Sequence, residues 1–249
     1  MILLGDIGNT DVKIFVTNDS FHIIKKFTFK THLISQNYLK KKLNTSLFNR
    51  YMIKKILFSS VVPIAFNQFS FFLKKKYKLK KIHEIKKFNL KKLINIKVNK
   101  KQVGSDRIAN AIGMIDKKNN YIIIDFGTAT TFDVVVKDNY LGGVIAPGVS
   151  LSLKNLSSKA SLIPPINLTK ISNVVGTNTT TAVKSGFYWG YIGLIDKIVY
   201  LIKKQTRMSF KIILTGGLAH LFKNKIKTKS QIIKDLTIYG LIKTIKSTK

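Results

Sequence analysis

Residues 3–16 read Leu-Leu-Gly-Asp-Ile-Gly-Asn-Thr-Asp-Val-Lys-Ile-Phe-Val, and residues 122–136 read Ile-Ile-Ile-Asp-Phe-Gly-Thr-Ala-Thr-Thr-Phe-Asp-Val-Val-Val. Each stretch is an apolar strand, an Asp-x-Gly-polar turn and a second apolar strand. Asp6 matches Asp125 and Gly8 matches Gly127. A repeat at nearly half the chain length points to two related half-domains facing each other. Both turns carry what a nucleoside triphosphate requires. A carboxylate at a strand end can hold a metal ion or its waters. A glycine lets backbone N–H groups approach phosphate oxygens, and Asn, Thr and Lys side chains add donors.

The scarce residues support this reading. Of 249 residues, 44 are Lys or Arg and 11 are Asp or Glu, a formal net charge of +33. Only Arg50, Arg107 and Arg207 are arginines and only Glu84 is a glutamate. Five acids, Asp6, Asp11, Asp106, Asp125 and Asp133, fall in three short motif segments. In a chain this basic, those acids are the candidates for chemistry. Excess lysine by itself suggests nucleic acid. However, arginine is the usual reader of bases and phosphates, and the lysine runs lack a regular pattern of stacking aromatics. Abundant Lys, Ile and Asn fit an AT-rich coding bias, and a nucleic-acid partner is not expected.

A hydrophobic share of 45% supports a sizeable core. The absence of cysteine excludes disulfides, zinc–thiolate sites and thiol catalysis, and fits a reducing, cytoplasmic location. The first six residues lack a basic stretch and end on Asp6, so no secretory leader is expected. No apolar run is long enough to span a bilayer.

The pattern is mixed α/β. Strands are expected at 2–7, 11–17, 21–29 and 55–61, with helices near 33–47 and 64–76. Ile108, Ala111, Ile112 and Ile115 set a helix over 105–116, with Ser105 as its N-cap. Strands follow at 121–125, 130–136 and 140–146, then a Ser/Leu-rich helix within 147–166. A long helix runs over about 179–204, where Gly186, Gly190 and Gly193 would allow close packing. A strand at 211–215 enters Thr215-Gly216-Gly217, and a final helix covers about 235–246. The order of elements resembles the duplicated ribonuclease-H-like fold of the actin-like ATPase superfamily, with two half-domains around a nucleotide cleft. The expected division is residues 1–117 and 118–249.

Gly104-Ser105-Asp106-Arg107 opens the 105–116 helix. Asp106 there reads either as an acid stabilised by the helix dipole or as part of a site in which the helix start and Arg107 bind a substrate carboxylate or phosphate. Asp106 can accept a proton from a substrate hydroxyl, and the helix dipole is expected to hold its pKa low. A weak base suffices for phosphoryl transfer through a loose transition state.

Three motifs, Asp6-x-Gly8-Asn9-Thr10-x-x-Lys13, Gly104-x-Asp106-Arg107 and Asp125-x-Gly127-Thr128-Ala129, together resemble those of type III pantothenate kinases in order and spacing. Gly142-Gly143-x-Ile145-x-Pro147-Gly148, Asn178-Thr179 with Ser185-Gly186, and Leu214-Thr215-Gly216-Gly217 agree, so the resemblance covers residues 2 to about 245. It implies ATP-dependent phosphorylation of pantothenate to 4′-phosphopantothenate, the first step towards coenzyme A. It further implies that Asp6, Ile7, Gly8, Asn9, Thr10, Asp11, Val12 and Lys13 bind ATP, helped by Thr128. Gly104, Ser105, Asp106, Arg107 and Thr179 would bind pantothenate, with Asp106 as proton acceptor. Asp125 would hold a monovalent cation, K⁺ or NH₄⁺, and Mg²⁺ would arrive with ATP. The family forms homodimers. The chain departs from the family at 96–103, Ile-Lys-Val-Asn-Lys-Lys-Gln-Val. Lys97 stands near the family's tyrosine, and no proline follows Asn99. Thr181 stands where an acid is common. The alternatives are a non-enzymatic, regulatory or nucleic-acid-binding relative on this fold, and a two-metal nuclease, which would need clustered carboxylates.

Overall fold

The computed structural model describes residues 1–43, 53–77 and 82–247. Two compact units divide the chain: Met1–Ile115 with Leu236–Lys249, and Asp116–Asp235.

In the first unit, β1 (Ile2–Ile7), β2 (Asp11–Thr17) and β3 (Ile23–Lys30) form an antiparallel meander. β4 (Lys55–Ser60) pairs parallel to β1 on its other side, and β5 (His83–Glu84) pairs parallel to β4. The order across the sheet is β3-β2-β1-β4-β5. Central β1 buries Ile2, Leu3, Leu4 and Ile7, the continuous apolar run of a strand covered on both faces. Helices α1 (Gln36–Leu43) and α2 (Pro63–Tyr77) supply Leu39, Leu43, Phe69 and Leu73 to this core. Pro63 opens α2 at the position where a missing N–H costs nothing. The expected helix near 33–47 is shorter at its start, and 44–47 lie outside the described residues. The segment between α2 and the next helix holds the 3₁₀ turns Ile85–Lys87 and Leu90–Lys92 and the short β6 (Asn95–Ile96).

The second unit repeats the plan. β7 (Asn120–Phe126), β8 (Ala129–Val136) and β9 (Asn139–Pro147) form an antiparallel meander. β10 (Lys211–Gly216) runs parallel to β7, and β11 (Ser230–Ile232) parallel to β10. The order β9-β8-β7-β10-β11 reproduces β3-β2-β1-β4-β5 with every strand sense preserved. The sequence repeat is therefore a repeat of fold, the duplicated ribonuclease-H-like architecture.

α3 (Ser105–Met114) starts on Gly104, which has extended dihedrals and no side-chain cap. Ser105 is buried as the first helical residue, so the expected Ser105 cap is corrected. α4 (Val149–Lys159) is the Ser/Leu-rich helix, followed by α5 (Thr179–Thr206) and α6 (Ala219–Phe222). Gly186, Gly190 and Gly193 of α5 are not packing positions within the unit, because a Cβ at each would meet nothing within 4 Å.

α7 (Leu236–Ser247) returns to the first unit. It packs on α3, where Thr237 Oγ1 donates to buried Asn110 Oδ1 at 3.0 Å and Lys243 Nζ donates to the Ile115 carbonyl. A division by sequence position alone, at 117/118, leaves this helix in the other half. Buried Leu236, Ile238, Leu241 and Ile245 are the reason it belongs to the first. Among the described residues, no helix is long and apolar enough to cross a membrane.

Candidate active site

The first turn lies at the carboxyl end of β1. Gly8 N–H donates to the Asp11 carbonyl at 3.0 Å, which leaves Asn9 and Thr10 exposed at the tip. Asp6 and Lys13 stand directly opposite each other on β1 and β2. Ile7 and Val12 are buried and anchor the turn through packing, so of the expected ATP-binding stretch these two can offer only their backbone. Asp11 is engaged by Lys30, whose Nζ lies 2.8 Å from Oδ1. Thr31 holds the turn from behind: its Oγ1 donates to the Gly8 carbonyl at 2.7 Å and its N–H to the Thr10 carbonyl at 3.0 Å. Nothing in the sequence pattern singles out Thr31, which pairs with no motif and lies 23 residues from Gly8.

The second turn also opens on a glycine but is one residue shorter. Gly127 N–H donates to the Ala129 carbonyl at 3.1 Å, and Gly127 and Thr128 are exposed. Two other glycines press on it. A Cβ on Gly148 would lie 2.0 Å from the Thr128 carbonyl oxygen. Gly216 has φ +86, and a Cβ there would come within 2.6 Å of Asp125 Oδ1 and of the Phe126 carbonyl. The sequence marked both as motif glycines but could not show which turn they support. The Asp125 carboxylate and the Phe126 backbone thus both lie against Gly216. Asp133, also among the scarce acids, is fully buried and accepts the Tyr140 hydroxyl at 2.7 Å. It belongs to the interior of the sheet, not to the turn.

Gly104, Ser105, Asp106 and Arg107 begin α3. Val61 joins them to the first turn, because its N–H donates to the Ile7 carbonyl at 3.0 Å and its side chain lies beside Gly104. β1 and β4 are parallel, with Asp6 level with Ser59, so Asp6 and the start of α3 share the carboxyl edge of the sheet. Ligands of open α/β sheets bind at this edge. Asp106 is half-buried, and Oδ1 accepts the Arg107 N–H at 2.8 Å. A Cβ on Gly104 would lie 2.4 Å from that oxygen, so only glycine leaves the carboxylate its place. Burial raises the Asp106 pKa above the ordinary carboxylate value. The Arg107 N–H, the Arg107 guanidinium and the Lys86 ammonium oppose that rise without cancelling it. The expectation that the helix start holds the pKa low is therefore corrected. Losing water costs the carboxylate more than the helix end returns, which makes Asp106 a stronger base.

Thr179 is exposed at the first position of α5. Asn178 caps that helix, accepting the Thr181 N–H at 2.9 Å, and Thr181 Oγ1 accepts the Asn178 N–H at 3.2 Å. Thr181 is thus one half of a capping box. Among the described residues, no group of three His, Asp or Glu side chains could hold a metal ion. Single carboxylates suit Mg²⁺ that keeps most of its ligands from water and phosphate.

A family model for type III pantothenate kinases matches residues 2–200. The chain belongs to the type III pantothenate kinase family. A relative of that description from Pelagibacter ubique (strain HTCC1062) is 58% identical over 243 residues, covering 98% of each chain. Two solved structures share the fold. One, from Campylobacter jejuni and described as a Baf family transcriptional activator, has a TM-score of 0.62 at 23% identity, covering 99% of this chain and 98% of that one. The other, described as a 2-dehydro-3-deoxygalactonokinase from Sinorhizobium meliloti, has a TM-score of 0.63 at 7% identity, covering 100% and 99%. As a kinase of this family, the chain depends on ATP and a divalent metal.

Proposed function

We propose that this chain phosphorylates pantothenate with Asp106 as the proton acceptor. The reaction, transfer of a phosphoryl group from ATP to pantothenate in coenzyme A biosynthesis, is that of the type III pantothenate kinase family. The pantothenate hydroxyl oxygen bonds to the γ-phosphorus as the bond to the departing ADP oxygen breaks. The hydroxyl proton passes to an Asp106 carboxylate oxygen. A loose transition state keeps that proton until late, so most of the acceleration comes from positioning and charge. Arg107 and the start of α3 bind the pantothenate carboxylate, assisted by Gly104, Ser105 and Thr179. Asp6 to Lys13 hold the ATP phosphates, Lys13 by its charge and the Gly8–Thr10 backbone by its donors, and Thr128 contributes its hydroxyl. Mg²⁺ comes with ATP and neutralises charge on the phosphate oxygens. Asp125 holds a monovalent cation, K⁺ or NH₄⁺.

The observation that carries this reading is the half-buried Asp106 carboxylate, raised in pKa beside Arg107 at a helix start. ATP supply places the reaction in the cytoplasm. α5 leaves Tyr200 and Leu201 exposed along with its open glycines, and such a face suits a second copy in a two-fold dimer. Sedimentation at about 0.15 M salt, where surface repulsion is screened beyond roughly 8 Å, tests the dimer; an active monomer would refute it. Purified chain should consume ATP only with pantothenate and Mg²⁺ present. ATP turnover indifferent to pantothenate would overturn the kinase reading.

A further inference from the structure

We propose that Tyr191 is a positioning residue for the second turn: its hydroxyl holds the Pro147 carbonyl and so keeps Gly148 seated against Thr128. The proposal deepens the kinase reading, since it rests on Thr128 and its turn meeting the ATP phosphates.

All the groups involved lie in the second unit. β9 ends at Pro147, which stands opposite Ala129, the first residue after the turn. Gly148 follows as the N-cap of α4, with extended dihedrals and no side-chain cap. It lies so close to the turn that an added Cβ would come within 2.0 Å of the Thr128 carbonyl oxygen and 2.9 Å of the Gly127 carbonyl oxygen. The backbone at 147–148 is therefore the wall behind the turn. In an interior packed this closely, a shift of the wall is passed on to what rests against it. Tyr191 fixes the wall from α5. Its hydroxyl lies 3.1 Å from the Pro147 carbonyl oxygen and 3.3 Å from Ser152 Oγ. A phenol has one proton, so it donates to the carbonyl and accepts from the Ser152 hydroxyl. The Ser152 N–H donates to the Gly148 carbonyl at 2.9 Å. One hydroxyl thus ties the residue before Gly148 to the residue that binds Gly148 from within α4.

The ring of Tyr191 is aimed by its neighbours. It stacks on Phe187 with centroids 6.1 Å apart and planes 17° apart, and meets Phe222 at 6.4 Å. Phe222 in turn stacks on Phe126, at 5.0 Å and 13°. Phe126 enters the second turn between Asp125 and Gly127. Tyr191 therefore reaches the turn twice, by its ring through Phe222 to Phe126 and by its hydroxyl through Pro147 to Gly148 and Thr128. Phenylalanine would serve the first route as well; only the second requires tyrosine. Tyr188 supplies the contrast. It belongs to the same helix and stacks on the same Phe222 at 6.1 Å, yet its buried hydroxyl makes no hydrogen bond to any described residue.

The test compares Tyr191→Phe, Tyr188→Phe and Ser152→Ala. Binding of adenosine 5′-(β,γ-imido)triphosphate with Mg²⁺ is measured by calorimetry, beside steady-state kinetics and melting temperature. Tyr191→Phe should weaken analogue binding about three- to tenfold, the range of one lost hydrogen bond. KM for ATP should rise by the same factor, while kcat and KM for pantothenate stay within about twofold. Tyr188→Phe removes a hydroxyl from the same aromatic cluster and should leave analogue affinity unchanged. Ser152→Ala keeps the Pro147 bond and should also leave it unchanged. Equal analogue affinity in wild type and Tyr191→Phe overturns the proposal, whether or not the variant melts lower. A loss in Ser152→Ala as large as that in Tyr191→Phe also overturns it, by assigning the effect to α4 and not to Pro147. Thr128→Ala with wild-type analogue affinity overturns instead the reading that the Thr128 hydroxyl meets ATP. The Tyr191→Phe measurement still judges whether Tyr191 holds the turn's backbone.

Discussion

The Asp106 carboxylate turns back on its own helix and accepts the Arg107 backbone N–H at 2.8 Å. One oxygen is thereby fixed by the helix, while burial keeps the group more basic than a surface aspartate. A proton acceptor needs both properties: a fixed direction and a pKa drawn towards the working pH.

That basicity carries a stability cost. A carboxyl whose folded pKa is raised disfavours folding of its ionised form, so the cost is absent below the unfolded pKa of about 3.9 and grows as pH rises through the folded value. Asp106→Asn should melt at or above the wild-type temperature at pH 7, with the difference shrinking towards pH 4. A variant clearly less stable at pH 7 would mean that the ionised carboxylate is a net stabilising group.

Thr31→Val tests the support behind the first turn. It removes the hydroxyl that donates to the Gly8 carbonyl at 2.7 Å while keeping the side-chain shape. One such bond is worth about 1 kcal/mol, so KM for ATP should rise roughly fivefold with kcat little changed. Equal KM values would show that the turn keeps its shape without Thr31.

Much of this was legible in the sequence because both signals were local. The apolar-strand, Asp-x-Gly, apolar-strand pattern at 3–16 and 122–136 gave the paired meanders, and the motif order gave the family. The parts that were not legible depend on distant partners. Thr31 supports Gly8 through a contact that no periodicity announces. α7 joins the first unit because Thr237 finds Asn110, 127 residues away. The raised Asp106 pKa comes from desolvation, which depends on distant packing, whereas only the helix start can be read from the sequence. Ser105 resembles a cap by residue type, yet Gly104 takes the N-cap position, and its missing Cβ leaves room for the Asp106 carboxylate.

Gly216→Ala should damage the second turn. Its φ of +86 is strained for any L side chain, and the added Cβ would press on Asp125 Oδ1 and the Phe126 backbone. A loss of roughly 2 kcal/mol or more in stability is expected. Activation by K⁺ over Na⁺ should weaken along with it, if Asp125 holds the cation. Unchanged K⁺ activation in a destabilised variant would separate the cation site from this turn.

Tyr121→Phe probes the passage from the first unit to the second, where the chain runs from Ile115 to Asp116. The Tyr121 hydroxyl donates to Asp116 Oδ2 at 2.6 Å, and Asn119 and Lys118 donate to the same carboxylate. Together they hold the Asp116 pKa well below the usual carboxylate range, with the tyrosine bond foremost. Burial and Asp116 push the Tyr121 hydroxyl up to about 12. A depressed acid stabilises the fold above its unfolded pKa and loses that effect as pH falls through its folded value. Tyr121→Phe should therefore cost about 1 kcal/mol at pH 7, with the gap narrowing in strong acid. A constant difference from pH 7 to pH 2 would contradict the ionic character of the contact.

The most direct measurement of the central claim is kcat of Asp106→Asn with saturating ATP and pantothenate. Asparagine keeps the size and can still accept the Arg107 N–H, but it cannot take up the hydroxyl proton. The account predicts a fall of roughly 10²-fold or more, the range for a lost general base, in a chain that still folds. A kcat within a few-fold of wild type would contradict it and reduce Asp106 to an ordinary acid at a helix start.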